Sequence, residues 1–377
     1  MSVINAPEKP RKIIAVIDMG TNVFNLLVAE VNMADVSIDG VRQKRVKYIC
    51  LFKAPSRIGA AGLADGVIKP VAFETASDAM KQILWHVKKI EGQYNTQVPV
   101  YPFATSAVRD AKNGREFVSF MDERFGIDIQ VISGDVEAMF IFRGVMLSVP
   151  QFSKKIRFGC ASATEPDERM ERSDFKRIGS VAEANADAVA DAYNSGDIYM
   201  LLDIGGGSDE FIITDGAKIL WEHSFPIGMA RMRERFNYSE PIKNEVIDEF
   251  LVYCDEALQI LWEKIKEYKP KILIGSSGTF DTFKDLIYDC GYRDKNSITL
   301  PLGEMEKLYE RLLPTTKAER MRIRGMNSIR ENYIVLGIIF VRFILRRMKE
   351  TSGPEIQLWQ SSFSLREGAM DKIVSEL

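Results

Sequence analysis

The sequence predicts an α/β protein made of two related halves that face each other across a cleft. The first observation behind this is an internal echo. Leu201-Leu202-Asp203-Ile204-Gly205-Gly206-Gly207-Ser208-Asp209-Glu210 repeats the arrangement of Ile17-Asp18-Met19-Gly20-Thr21-Asn22 near the start of the chain. The second is the setting, which is the same in both copies. An apolar run that reads as a buried strand (13–17 and 199–202) ends in an Asp, passes a glycine turn bearing a hydroxyl residue, and resumes as a strand-like run (23–28 and 211–214). Each turn therefore joins two strands. A dinucleotide fingerprint would need G-x-G-x-x-G opening a helix and a P-loop would need Gly-Lys-Ser/Thr, and neither motif occurs at these turns.

Glycines let backbone N–H groups approach phosphate oxygens with no Cβ in the way, and successive free N–H groups form an anion-binding concavity. The Asp closing each strand suits a bound cation or water. A lone Asp-x-Gly-Thr is most often an ordinary hairpin turn. The Gly205-Gly206-Gly207-Ser208 copy is sharper, because three glycines carry an entropic cost that packing does not require.

Along the chain, residues 13–55 read as a strand meander. Residues 72–90 form a helix with Ala76, Met80, Ile83, Leu84, Val87 and Ile90 on one face. A strand over 98–104 feeds Thr105-Ser106-Ala107-Val108-Arg109-Asp110, where Thr105 or Ser106 caps a helix and Arg109 stands in its first turn. The helix dipole disfavours a cation there, so Arg109 is explained either by an anionic ligand or by a surface pair with Asp110 or Glu116. A strand over 127–132 ends at Ser133-Gly134 and opens a helix carrying Glu137 in its first turn, a position that capping alone would explain. Residues 152–197 break the pattern: 154–177 mix both signs of charge with Ser, Gly and Pro and read as a solvated surface insertion, followed by a short Ala-rich helix over 181–192. After the second turn come a strand over 218–225 and one long amphipathic helix over 245–268. A strand over 271–274 then runs into Gly275-Ser276-Ser277-Gly278-Thr279, whose following helix offers another N-terminal anion site.

At 377 residues with 46% hydrophobic content, the chain suits two domains with separate cores. A formal charge of −3 and a pI near 5.8 give no general attraction to nucleic acid or to an anionic membrane, so a polyanion needs a local basic site. Cys50, Cys160, Cys254 and Cys290 are far apart, and His86 and His223 are the only histidines, which argues against zinc and for reduced thiols. The N-terminus lacks the apolar core of a signal peptide, and the apolar run 333–341 stops at Arg342, well short of the ~20 residues of a membrane helix. A cytoplasmic protein with a buried helix at that run is the expectation.

Six motifs in order resemble the Ppx/GppA phosphatase family across nearly the whole chain. They are Asp18-x-Gly20-Thr21-Asn22, Ala104-Thr105-Ser106-Ala107-Val108-Arg109-Asp110-Ala111, Ile132-Ser133-Gly134-x-x-Glu137-Ala138, Asp203-Ile204-Gly205-Gly206-Gly207-Ser208-x-Glu210, Gly275-Ser276-Ser277-Gly278-Thr279 and Leu365-Arg366-Glu367-Gly368. The resemblance implies two ribonuclease-H-like domains of the actin/Hsp70/hexokinase type with a cleft between them. We place them at 1–134 and 135–377, the second holding the insertion at about 152–197, with the C-terminal helix packing back on the first and no HD-like domain of the kind longer members carry. It implies release of terminal phosphate from inorganic polyphosphate or of the 5′ γ-phosphate of guanosine pentaphosphate, and by analogy a homodimer. Carried over by position, Glu137 is the general base and Arg109 holds the phosphate chain. Asp203 and Glu210, with Asp18, are the Mg²⁺ residues. Backbone around Gly20, Thr21 and Asn22, Gly206, Gly207 and Ser208, and Gly275, Ser276, Ser277 and Gly278 cradles phosphates.

Three positions depart from the family pattern. Val136 replaces one of two adjacent acids, Asp209 stands where a Thr usually follows the Ser, and Arg330-Glu331-Asn332 stands for Arg-Ala-Asp. The first removes a like-charge neighbour from Glu137, and the second places a carboxylate where it would repel a polyanion. Two other readings stay open: a catalytically weak sensor that binds guanosine tetra- or pentaphosphate or polyphosphate and acts through a partner, and an ATP-dependent sugar or acetate kinase of the same fold.

Overall fold

A computed structural model describes residues 11–149 and 197–377, apart from 39, 40, 61, 64, 293, 294 and 327. The insertion expected at 152–197, with its Ala-rich helix, lies outside the described residues but for its last position.

Two mixed sheets repeat one topology. In the first, β1 (Arg11–Met19), β2 (Val23–Ile38) and β3 (Val41–Pro55) form an antiparallel meander. The strands β4 (Val100–Ala104) and β5 (Gln130–Val131) then add parallel to β1, giving the order β3-β2-β1-β4-β5. In the second, β6 (Tyr199–Ile204), β7 (Asp209–Thr214) and β8 (Ile219–Phe225) are the meander. Here β9 (Ile272–Ser276) and β11 (Gln357–Ser361) add in parallel, and β10 (Ser297–Thr299) closes the edge antiparallel to β11. The two glycine turns occupy equivalent places, between the first and second strands of each meander. This duplicated order is the ribonuclease-H-like pair expected from the sequence.

The helices are α1 (Pro70–Tyr94), α2 (Ser106–Arg109), α3 (Gly114–Phe125) and α4 (Gly134–Ser148). In the second half follow α5 (Met229–Phe236), α6 (Asn244–Ala257), α7 (Gln259–Tyr268), α8 (Ser277–Ile287), α9 (Leu302–Leu312), α10 (Lys317–Arg320), α11 (Ile334–Ser352) and α12 (Leu365–Glu376). Strand alternation sends successive side chains to opposite faces. Ala15, Ile17 and Met19 pack under α1 and α3 with Ala76, Met80, Phe117 and Met121. Leu202, Ile204 and Phe211 pack under α6, α7 and α11 with Phe250, Leu261 and Phe340. The other faces, through Ile14, Val16, Leu201 and Ile212, share a third core with Ile141, Val145, Ala369 and Met370 of α4 and α12. The α4–α12 pair therefore lies between the sheets, and α12 also contacts β1 and β2. Two glycines make that helix crossing close: a Cβ on Gly144 would lie 1.9 Å from Ser364 O, and one on Gly368 would lie 1.7 Å from Phe140 O. Neither position has room for another side chain.

The expected long helix over 245–268 is two helices, α6 and α7. Leu258, at φ −99° and ψ 16°, leaves helical geometry. Gln259 Nε2 and Trp262 Nε1 donate to Asp255 O at 2.8 and 3.2 Å, which supplies partners to the carbonyl at the break. The strand expected over 127–132 shrinks to Gln130–Val131. The run beginning near Tyr333 is the buried helix α11, and no helix among the described residues is long and apolar enough to cross a membrane.

Candidate active site

The two turns meet at one pocket between the sheets. Its lining includes Asp18, Gly20, Thr21 and Asn22 from the first half and Asp203, Gly205, Gly206, Ser208 and Glu210 from the second. Thr105, Ser106, Glu137, Ser277, Arg330 and Ser364 complete the wall. The loops approach each other so closely that a Cβ on Gly206 would lie 2.7 Å from Asn22 Nδ2 and 2.9 Å from Thr21 Cβ.

Each loop closes on itself through one backbone hydrogen bond. Gly20 N–H closes its turn on Val23 O at 3.1 Å, and Gly205 N–H closes on Ser208 O at 3.1 Å. The N–H groups of Thr21, Asn22 and Gly206 donate to no acceptor among the described residues. The opposite sides of the second loop are held by α5: Met229 N–H donates to Gly205 O, and Ala230 and Arg231 N–H donate to Gly206 O, each at 3.0 Å. The Gly205 and Gly206 carbonyls thus satisfy the N-terminal amides of that helix, while Gly206 N–H keeps no acceptor among the described residues.

Four carboxylates surround this concavity. Asp18 is the penultimate residue of β1 and accepts from Asn25 Nδ2 at 2.8 Å. Asp203 holds the same place in β6 and accepts at one oxygen, Oδ2, from Ser276 Oγ at 2.7 Å and from Ser364 Oγ at the mouth of α12. Glu210 accepts at Oε1 from Ser208 Oγ at 2.6 Å and Ser224 Oγ at 2.8 Å. In all three, neutral donors engage one oxygen, and the residue lines the pocket. Glu137, in the first turn of α4 behind the Ser133 cap, is 5% exposed and accepts from Arg109 Nη1 at 2.7 Å.

Burial dominates the electrostatics. It raises the Asp18 carboxyl to about 7 against the Asn25 hydrogen bond, with Asp203 adding repulsion. Burial and then Asp203 raise Glu210 to about 7, against Ser208 and Ser224. Glu137 is pushed well above the usual carboxylate range by burial and then by Glu210, with Arg109 opposing. Acids this crowded hold their negative charge only beside a cation. Among the described residues no three His, Cys, Asp or Glu side chains are grouped to hold a metal ion. Asp18, Asp203 and Glu210 supply the carboxylate oxygens, the kind of donor that Mg²⁺ takes.

The structure corrects several expectations. Gly207, Gly275, Ser276 and Gly278 do not line the pocket. Gly207 abuts Ser106 Oγ and Thr21 Oγ1 across the cleft; Gly275 has Phe280 where its Cβ would be, and Gly278 has the Arg330 guanidinium there. These are close-approach glycines. Ser276 reaches the site through Asp203 and, at 3.4 Å, Ser364 Oγ, and Ser277, at φ 69°, is the residue of that turn on the wall. Neither Thr105 nor Ser106 caps α2 through its side chain. Arg109 makes the surface pair with Asp110, at 3.2 Å, but its shorter contact is Glu137, at 2.7 Å, a partner the sequence reading had not named. It also donates to Ile132 O at 3.2 Å.

The departures resolve differently. Glu137 has its like-charge neighbour after all, Glu210 across the cleft instead of an acid at 136. Asp209 points away from the pocket, as alternation after Ser208 and before Glu210 requires. It is fully buried toward α6, near Cys254, and burial, followed by Glu210 and Asp203, pushes its carboxyl well above the usual carboxylate range. Asn332 lies outside the pocket, beside Glu331, whereas Arg330 is on its wall.

Two arginines were missed by sequence reasoning. Burial pulls the Arg330 guanidinium below its usual value, against Asp281 and Asp203, so it is an under-neutralised cation facing the pocket. Arg366 donates to Glu367 Oε1 at 2.6 Å and sits close enough to Asp18 to lower its carboxyl. Both lie inside motifs noted in the sequence, which was the available signal.

Comparison with known proteins places this geometry. The family model described as the Ppx/GppA phosphatase family matches residues 38–157 and 179–377. The crystal structure of an exopolyphosphatase from Cytophaga hutchinsonii is similar at 28% identity, covering 97% of this chain and 99% of that one, with a TM-score of 0.74. A Ppx/GppA family member from Aquifex aeolicus shares the fold at 21% identity, 97% and 99% coverage, and a TM-score of 0.63.

Proposed function

The chain belongs to the Ppx/GppA phosphatase family, and on that premise we propose that it is a Mg²⁺-dependent exopolyphosphatase that releases the terminal phosphate of inorganic polyphosphate. One observation carries the reading: both glycine turns and the Glu137, Asp203 and Glu210 carboxylates converge on a single pocket between the sheets. The similarity to an exopolyphosphatase at 28% identity supports the substrate class.

The leading phosphate is held by the N–H groups of Thr21, Asn22 and Gly206, with Arg330 as the cation on the wall. Phosphoryl transfer asks little covalent help of the protein, so positioning and charge neutralisation carry the rate. Glu137, ionised, takes the proton of the attacking water at Oε1 or Oε2. Its raised pKa makes the ionised carboxylate a stronger base than a free one. Arg109 orients that carboxylate and stabilises its ionised form. Asp203 and Glu210, their hydroxyl partners fixing one oxygen each, are the residues that would hold Mg²⁺. When bound, Mg²⁺ neutralises charge on the phosphate oxygens.

The 5′-triphosphate end of guanosine pentaphosphate presents the same terminal chemistry and is the second substrate. Phosphate release from long polyphosphate, short polyphosphate, guanosine pentaphosphate and ATP, each with and without Mg²⁺, tests the proposal. Turnover highest on polyphosphate and dependent on Mg²⁺ is expected. Binding without turnover on every substrate would replace the enzyme by a sensor.

A further inference from the structure

We propose that Arg231 is a positioning residue: a clasp behind the pocket that sets the two phosphate loops in register with each other. The inference rests on the proposed phosphohydrolase reading for its kinetic part and on geometry alone for the rest. Arg231 lies in the first turn of α5, where the helix dipole disfavours a cation, and is only partly exposed. Its fork explains the placement. Nε donates to Gly207 O of the second-half loop at 2.9 Å, and Nη1 donates to Leu63 O of the first half at 2.9 Å.

Leu63 is not an isolated anchor. Its segment is tied to the first phosphate turn by Gly59 N–H to Thr21 O at 3.1 Å, and Ser56 and Arg57 N–H donate to Asn22 O at 2.9 and 3.1 Å. One guanidinium thus links Gly207 to Thr21 and Asn22 through a few covalent and hydrogen-bonded steps. A small cavity lined by Gly62, Leu63, Ser106, Ala107, Asp110 and Arg231 lies at this junction. The neighbouring Ala230, carried by the second half, is buried in the first half's core. A planar two-armed donor is required to reach both carbonyls, and a lysine has one ammonium on a flexible stem.

The loops contribute N–H groups to one phosphate from opposite walls, so a small slip between them misplaces the reacting atoms, and a misplacement of about 1 Å costs about 10²-fold in rate. The test uses the full chain with Arg231→Ala and Arg231→Lys. Arg231→Ala is expected to lose about 10²-fold in kcat/KM and to recover at least tenfold with millimolar guanidinium but not with sodium chloride at equal ionic strength. Arg231→Lys, which keeps the charge, is expected to remain closer to Ala than to wild type. Hydrogen exchange on the ligand-free proteins supplies a readout independent of activity: exchange should accelerate together at 57–63 and 205–208 in both variants. Acceleration at 205–208 alone would reduce Arg231 to a local brace, and unchanged kcat/KM or no guanidinium rescue would remove its role in the reaction. If wild type hydrolyses nothing, the functional reading fails while the exchange data still decide the clasp. If Arg231→Ala does not fold, Arg231→Lys carries both readouts.

Discussion

Raising the pH of the ligand-free protein should destabilise it in a way the site acids dictate. Asp18 rises from 3.8 unfolded to about 7 folded, and Glu210 from 4.5 to about 7. For an acid whose folded pKa is raised, the stability is fully present below the unfolded pKa and is lost as pH rises through the folded one. The window therefore runs from about pH 4 to just above pH 7. Between pH 5 and 8 the linkage relation gives a loss of about 2.5 kcal/mol per acid, or about 5 kcal/mol for the pair. With an unfolding entropy of about 2.1 cal/mol/K per residue, that is a fall of about 6 °C in Tm. Glu137 and Asp209 add in the same direction. Differential scanning calorimetry across this range reads the effect, and Asp18→Asn should remove about half of the pair's contribution. A cation that binds the ionised cluster should restore more stability at pH 8 than at pH 5. A Tm that is flat or rises from pH 5 to 8 in the metal-free protein would refute the electrostatic account of the site.

Two further predictions follow from single positions. Gly206→Val drives a side chain into Asn22 and Thr21 across the cleft, so Tm should fall by an amount matching about 1–3 kcal/mol while phosphate release is abolished; retained activity would mean the loops are not the cradle. Asp209→Asn replaces a buried acid with a raised carboxyl by a near-isostere that does not ionise. It should leave kcat within about twofold, because the side chain points away from the pocket, and should make Tm less sensitive to rising pH, because an acid raised in the folded state loses stability as pH rises. A large activity loss with unchanged Tm would show that Asp209 faces the chemistry.

The site's skeleton was legible because it is written in local pattern. Ile13 to Val28 and Tyr199 to Thr214 each carry a buried strand, an Asp and a glycine turn, and no tertiary knowledge is needed to see that they match. What the turns do was less legible. Composition cannot distinguish a glycine that bares its amide to a ligand, such as Gly206, from one that admits a neighbour's side chain, such as Gly275 against Phe280. The break at Leu258 was invisible because the apolar face continues through it from Phe250 and Cys254 to Leu261 and Ile265. Arg330 and Ser364 reach the pocket from segments with no periodic signal, placed there by the close packing of Gly278 and of the Gly144–Gly368 crossing. The fate of Asp209 depended on strand phase: one position earlier or later it would have faced the anion.

The most direct test of the central claim, that Glu137 activates water for attack on a phosphate held between the two loops, is Glu137→Gln assayed for both turnover and polyphosphate binding. The account predicts a loss of about 10²–10⁴-fold in kcat with binding retained, since the base is removed and the cradle is not. Unchanged kcat, or lost binding with normal turnover of what does bind, would contradict it.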